Sequence, residues 1–364
     1  MSGRFPTHDA DERLRAVRET GVEVVPLHGT PAPALPSHVV DAVARALGTA
    51  GPAPHPRGVP ELRVRLADVL SGTGRAVDPE HELVVTNGAM HALGLCFRAL
   101  LEPGDEVVVP APCFFFEGPI RGGGGVPVYV SSSPEDGWAW DADAIESAVG
   151  PRTRALLLCN PGNPTGAVPS AAEVADVAGV AERNGLVLVT DEAYEAALWD
   201  AELASAFPLA DRALLVRSLG KSLSLPHLRV GAVAGPSALV DAVAVALEWD
   251  VLRVGIAAQA AALAVLDGPR AWLDDVHARM AEDMSVASAE AAQAGLRFAP
   301  PRGGPFRFVS DGKPDLAESL VDAGIPAVDG RHFQAREWAR VPFGGASGCA
   351  PALAGALARW AAVR

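Results

Sequence analysis

From 82 to 234, short apolar runs alternate with helical segments, and this alternation limits the chain to few architectures. The runs 82–86, 106–110, 126–130, 155–159, 186–190, 213–216 and 230–234 read as strands, several of them apolar on both faces. Helical stretches such as 90–101 and 171–184 lie between them, the latter closed by Gly185. The predicted class is α/β, a mostly parallel sheet with helices on both faces. After Gly295 the texture changes. Strands over 306–310 and 325–328, a helix over 314–323 and a final helix over 350–363 predict a smaller α+β domain. Ahead of the sheet come a charged helix over 9–20, a short strand over 22–27, a helix over 38–47 that Ser37 caps, and a helix over 61–70. The expected division is an N-terminal segment 1–45 joining the small domain, a large domain 46–265 and a small C-terminal domain 266–364.

At 364 residues and 49% hydrophobic, the chain holds a large packed core. Its net charge of −14 argues against binding nucleic acid or an anionic membrane surface. No apolar run is long enough to span a bilayer, and the first residues show no apolar leader. Cys96, Cys113, Cys159 and Cys349 have no CxxC spacing and read as reduced thiols of a cytoplasmic protein, with no metal site.

Of the 30 basic side chains, only Lys221 and Lys313 are lysines. Lys313 lies in the turn-like Asp311-Gly312-Lys313-Pro314-Asp315. Lys221 follows the apolar run 213–216 and precedes a small-residue segment without a carboxylate to pair it. A lysine there is costly unless it is neutral or covalently engaged, the circumstance of a Schiff-base lysine. The plainer alternative is a stem packed along the sheet end with its head in water.

Three other strand ends carry polar groups. Asn87-Gly88-Ala89-Met90 turns a strand directly into a helix, where backbone amides and the helix dipole suit an anion. Asn160-Pro161-Gly162-Asn163-Pro164-Thr165-Gly166 is too elaborate for a plain connection. Asp191-Glu192-Ala193-Tyr194 places a carboxylate at the C-terminal end of an apolar strand, where α/β sheets bind ligands. The cluster Phe114-Phe115-Phe116 reads as core or as a flat face for a ring. Trp138 and Trp140 read as part of a surface connection.

In this order, these motifs resemble the fold-type-I enzymes that use pyridoxal 5′-phosphate (PLP), in particular class I/II aminotransferases, from about Leu27 to Arg340. The resemblance implies amino-group transfer between an amino acid and a 2-oxo acid through a Lys221 Schiff base, with Asp191 and Tyr194 completing the catalytic set. Asp191 would partner the pyridine nitrogen, and Asn163 and Tyr194 the phenolate oxygen. Gly88, Ala89, Ser218 and Arg229 would form the phosphate cup, with the helix near Met90 presenting its N-terminus. Phe114 would stack on the ring, unless the register slips to Phe115 or Cys113. Arg340 would clamp the substrate α-carboxylate beside Asn163 and Gly29. A homodimer is implied as well. Two departures stand out: Ala53, with His55 nearby, falls where the family often has an intersubunit tyrosine, and Gly220 replaces a serine. A lyase, decarboxylase or cyclase using the same lysine is the alternative reading.

Overall fold

The computed structural model describes residues 5–27, 32–51, 53–300, 302–343 and 349–364. Seven strands form the central sheet: β1 (Leu83–Thr86), β2 (Glu106–Ala111), β3 (Val126–Ser131), β4 (Thr153–Cys159), β5 (Val187–Asp191), β6 (Ala213–Arg217) and β7 (Gly231–Ala234). Their spatial order is β1-β7-β6-β5-β4-β2-β3. Pairings from β6 through β3 are parallel, whereas β7 runs antiparallel to both β6 and β1. The sheet is therefore mostly parallel, as the alternation predicts. Its interior strands are apolar on both faces because helices cover both. Residues 155–158 of β4 are fully buried.

Local signals set the flanking helices. Ser170 and Glu173 form a reciprocal capping box at the start of Ala171–Arg183. Ser37 does not cap: it lies inside the helix Ser37–Gly48, which Pro36 precedes without a side-chain cap. Pro36 is extended and Ser37 is already helical, so the helix begins one residue earlier than a serine cap would set it.

A second sheet has the order β8 (Phe306–Val309), β10 (Ala339–Pro342), β9 (Val328–Asp329), all antiparallel. The predicted strand 325–328 shrinks to β9, because Ile325 and its neighbours pack as a buried connection after the helix Leu316–Asp322. The stretch 22–27 is not a regular strand: Val25 donates a backbone bond to the Gly324 carbonyl at 2.9 Å, and Leu27 stands at an isolated bridge position. Trp138 is buried, contrary to the surface reading, because it stands edge-on to Trp338 and beside Phe308 of the small sheet. The helix His8–Glu19 is tied to the same region by Arg13, which donates to Asp322 at 2.7 Å and Glu318 at 2.8 Å.

One glycine shows how tightly the sheet end is built. A Cβ on Gly231 would lie 2.6 Å from the Arg217 carbonyl oxygen and 2.9 Å from the Gly88 backbone. Both neighbours are backbone and cannot swing aside. Gly231→Ala is expected to cost about 1–3 kcal/mol, read as a lowered Tm by calorimetry. An unchanged Tm would show that β1 and β7 separate without cost.

Candidate active site

The parallel register sets the site. Cys159 of β4 pairs with Asp191 of β5, which pairs with Val216 of β6. The Asn-Pro turn, Asp191 and the Ser218–Lys221 segment therefore leave the sheet side by side at one end. Asn160 and Asp191 are also joined by a backbone bond of 2.9 Å.

Lys221 sits in the short helix Leu219–Ser222, whose amides are anchored on Ser218: Lys221 N–H donates to the Ser218 carbonyl at 2.9 Å. Its Nζ lies 5.3 Å from the centroid of the Tyr194 ring. Burial pushes the amine down to about 8, helped by Arg340 and Arg229 and opposed by Asp191. Asp191 is buried, and that burial pushes its carboxyl up to about 7 against a hydrogen bond from Ala193 N–H at 3.1 Å. Each group alone is pulled towards neutrality, as expected of a carboxylate and an amine in a dry cleft.

Arg340 enters from β10 of the small sheet. One guanidinium N–H donates to the Asn163 Oδ1 at 3.2 Å, which leaves the Asn163 amide N–H groups as donors. Among the described residues, the buried Arg340 Nε has no hydrogen-bond partner. Burial lowers this guanidinium to about 10, an unusual state that an incoming carboxylate would relieve.

Gly88 precedes the helix Ala89–Leu100 with φ +83°, and no side chain caps that helix. The first-turn amides of a helix without a side-chain cap suit an anion. A Cβ on Gly88 would meet the Arg229 Nη2 at 3.0 Å, so the bare backbone lets the guanidinium close over the helix start. Arg229 itself takes the left-handed conformation, φ +50°, next to the Gly231 strand start. Ser218 is buried at the same sheet end. Met90 is in the first turn of the helix, half-buried against the core.

Phe114 is the half-buried member of the aromatic cluster, stacked on Phe115 at 4.6 Å. Phe115 is committed to Phe333 at 5.0 Å, and Cys113 is buried facing a separate 310 Å³ cavity with Trp138 and Trp140. The predicted site residues thus converge, except Gly29, which lies outside the described residues.

Sequence reasoning missed the support beneath the site. The buried Arg217 contacts Glu192 at 2.9 Å and Glu195 at 3.2 Å. Glu192 also accepts from the Ser205 hydroxyl at 2.6 Å. Burial raises both carboxyls, and Arg217 opposes the shift. The signal was present: Glu192 and Arg217 are charges placed at the ends of two adjacent apolar strands. The phenylalanines that surround Arg340, Phe306 and Phe333, were also missed, since each is distant in sequence.

Residues 26–356 match the family model of aminotransferase class I and II. The chain belongs to the class I and II aminotransferases. It is 34% identical over 334 residues to an aspartate/prephenate aminotransferase of Thermus thermophilus, covering 88% of this chain and 86% of the relative. A structure of Thermus thermophilus aspartate aminotransferase with maleate superposes with a TM-score of 0.91 at 30% identity, covering 98% of this chain and 97% of the other. The N-succinyldiaminopimelate aminotransferase of Mycobacterium tuberculosis gives 0.87 at 28% identity, with 97% of each chain covered. This aminotransferase moves an amino group between an amino acid and a 2-oxo acid, with pyridoxal phosphate as cofactor. The buried amine, the buried carboxylate and the uncapped helix start beneath Arg229 fit that cofactor's aldehyde, ring nitrogen and phosphate.

The Arg217 network has a checkable consequence. Arg217→Met leaves two buried carboxyls without their cation, a loss of about 3–5 kcal/mol for a broken buried pair. Their folded pKa values, already raised, would rise further. Between the unfolded and folded values the native state then holds more protons, so stability falls as pH rises. The Tm deficit of the variant should be larger at pH 8 than at pH 5; a deficit independent of pH would refute the electrostatic role.

Proposed function

We propose that Lys221 binds the cofactor and carries the proton, that Asp191 holds the ring nitrogen, and that Arg340 holds the substrate α-carboxylate. The observation that carries this reading is the convergence of a buried, depressed lysine with a buried carboxylate and a buried guanidinium whose Nε has no partner. When bound, the cofactor supplies an aldehyde that condenses with amines and a ring that draws electrons from the amino acid Cα. Asp191 keeps the ring nitrogen protonated, since close opposite charges in a dry site favour both charged forms. Asn163 and the Tyr194 hydroxyl donate to the phenolate oxygen. Gly88, Ala89, the helix start at Met90, Ser218 and Arg229 bind the phosphate. Phe114 covers one ring face. Lys221, its amine lowered by burial to about 8, would carry the proton between the donor Cα and the cofactor. Arg340 and Asn163 fix the substrate so that this transfer is short.

The same reading divides the chain as the sequence suggests, with 46–265 holding the cofactor and 266–364 joined by the N-terminal segment. The large sheet falls within the first range and the small sheet within the second, and the Arg13 ion pairs join the first helix to the second. No helix among the described residues is long and apolar enough to cross a membrane. Four free cysteines support a cytoplasmic location.

The test is a half-reaction. Donor amino acid given alone should release one 2-oxo acid per site and then stop, and an added 2-oxo acid should restart it. Borohydride reduction of the holoenzyme should place the cofactor label on Lys221. A label on Lys313, or ammonia, CO₂ or a ring-closed product released at every turnover, would overturn the reading.

We also infer a homodimer. Val245, Trp249 and Leu252 recur at helical spacing and are exposed, Trp249 by 89%. Beside this face Arg253 donates to the Pro54 carbonyl at 3.0 Å, which ties the Pro-rich loop to it. An apolar face of this kind calls for a partner surface. Light scattering should give twice the 37.5 kDa chain mass, and Trp249→Glu should make the mass concentration-dependent. A wild-type monomer that retains full cofactor and activity would exclude the dimer.

A further inference from the structure

Four phenylalanine rings enclose the Arg340 guanidinium. Its Cζ lies 4.8 Å from the centroid of Phe306, 5.2 Å from Phe333, 5.6 Å from Phe115 and 5.9 Å from Phe114. The aromatic surface continues outward. Phe115 stacks on Phe333 at 5.0 Å, and Phe5 stands edge-on to Phe115 at 5.3 Å. Phe5 is 46% exposed, so the row runs from the buried guanidinium to solvent. Among the described residues, Arg340 and Arg229 are the cations that help burial lower the Lys221 amine. Each already has an anion in the reading above: the substrate α-carboxylate for one, the cofactor phosphate for the other.

We propose that the site selects amino donors with an apolar, above all aromatic, side chain over dicarboxylic donors such as aspartate, and that Phe115 and Phe5 set this preference. The inference rests on the assignment of Arg340 as the α-carboxylate clamp. A substrate held there leaves its side chain beside the phenylalanine row. A ring or branched chain packs on that row and leaves water, in offset or edge-on contact where it is aromatic. The second carboxylate of aspartate meets the same aromatic row, and an anion set against apolar rings is disfavoured. Burying an unpaired carboxylate costs more than the difference between one apolar side chain and another, so leucine and phenylalanine should rank together ahead of the acids. The direction of choice departs from the aspartate in the names of the Thermus relatives.

Two measurements on the holoenzyme test the proposal. In the first, L-phenylalanine, L-leucine, L-aspartate and L-glutamate are given singly and 2-oxo acid release is followed. The kcat/KM for L-phenylalanine should exceed that for L-aspartate by about tenfold or more. Phe115→Leu and Phe5→Ala should narrow the ratio by lowering the value for L-phenylalanine. Phe5 is half-exposed, so its variant decides the matter if Phe115→Leu does not fold. The second measurement needs no turnover: 3-phenylpropionate should raise the Tm more than succinate at equal concentration. Equal or better use of L-aspartate, or a ratio unmoved in the folded variants, overturns the selectivity while leaving the aminotransferase assignment intact. Release of 2-oxo acid from no donor overturns the underlying assignment, and the selectivity with it.

Discussion

The ladder of parallel hydrogen bonds between β4, β5 and β6 is the constraint on which the rest depends. Because Cys159, Asp191 and Val216 lie in register, the residues that follow them emerge at one edge of the sheet. None of these segments has to search for the others. The antiparallel return of β7 completes the arrangement, because it brings Arg229 and Gly231 back against Gly88 at the far end of the chain's first strand. A slip of one residue in any of these pairings would turn a functional side chain to the opposite face.

Below this edge the chain holds charge where water is scarce. Burial moves Asp191 up to about 7, Lys221 down to about 8 and Arg340 down to about 10. These shifts share one cause and run in the direction that favours the neutral form of each group. The Arg217 contacts with Glu192 and Glu195 serve a different purpose. They cross from β6 to the turn after β5 and brace the two strand ends that carry Ser218 and Asp191. A buried ionic brace of this kind adds little net stability, but it penalises any displacement that separates its members.

Much of this was legible in the sequence. Strands buried on both faces print as continuous apolar runs, and a polar residue ending such a run is conspicuous; Asp191 and Lys221 could be found for that reason. The Asn160–Gly166 turn was visible because its composition departs from an ordinary connection. Residues whose role depends on distant partners were not legible. Trp138 reads as exposed until Phe308 and Trp338 are placed over it. Phe306 and Phe333 look like ordinary core until β10 carries Arg340 between them. The stretch 22–27 has a strand-like composition but is held only by the Val25 bond to Gly324 and a bridge at Leu27 among the described residues, and local propensity cannot report which pairings the fold supplies.

The enclosure of Arg340 has a thermodynamic corollary. A guanidinium stripped of water, with its Nε unmatched, makes the ligand-free fold less stable than the same packing around an apolar side chain would be. A bound carboxylate returns that free energy to the protein, so folding and ligand binding are linked through a single side chain. In the proposed role of Arg340, occupancy of the site and the seat of the small sheet on the large one would be coupled through that one side chain.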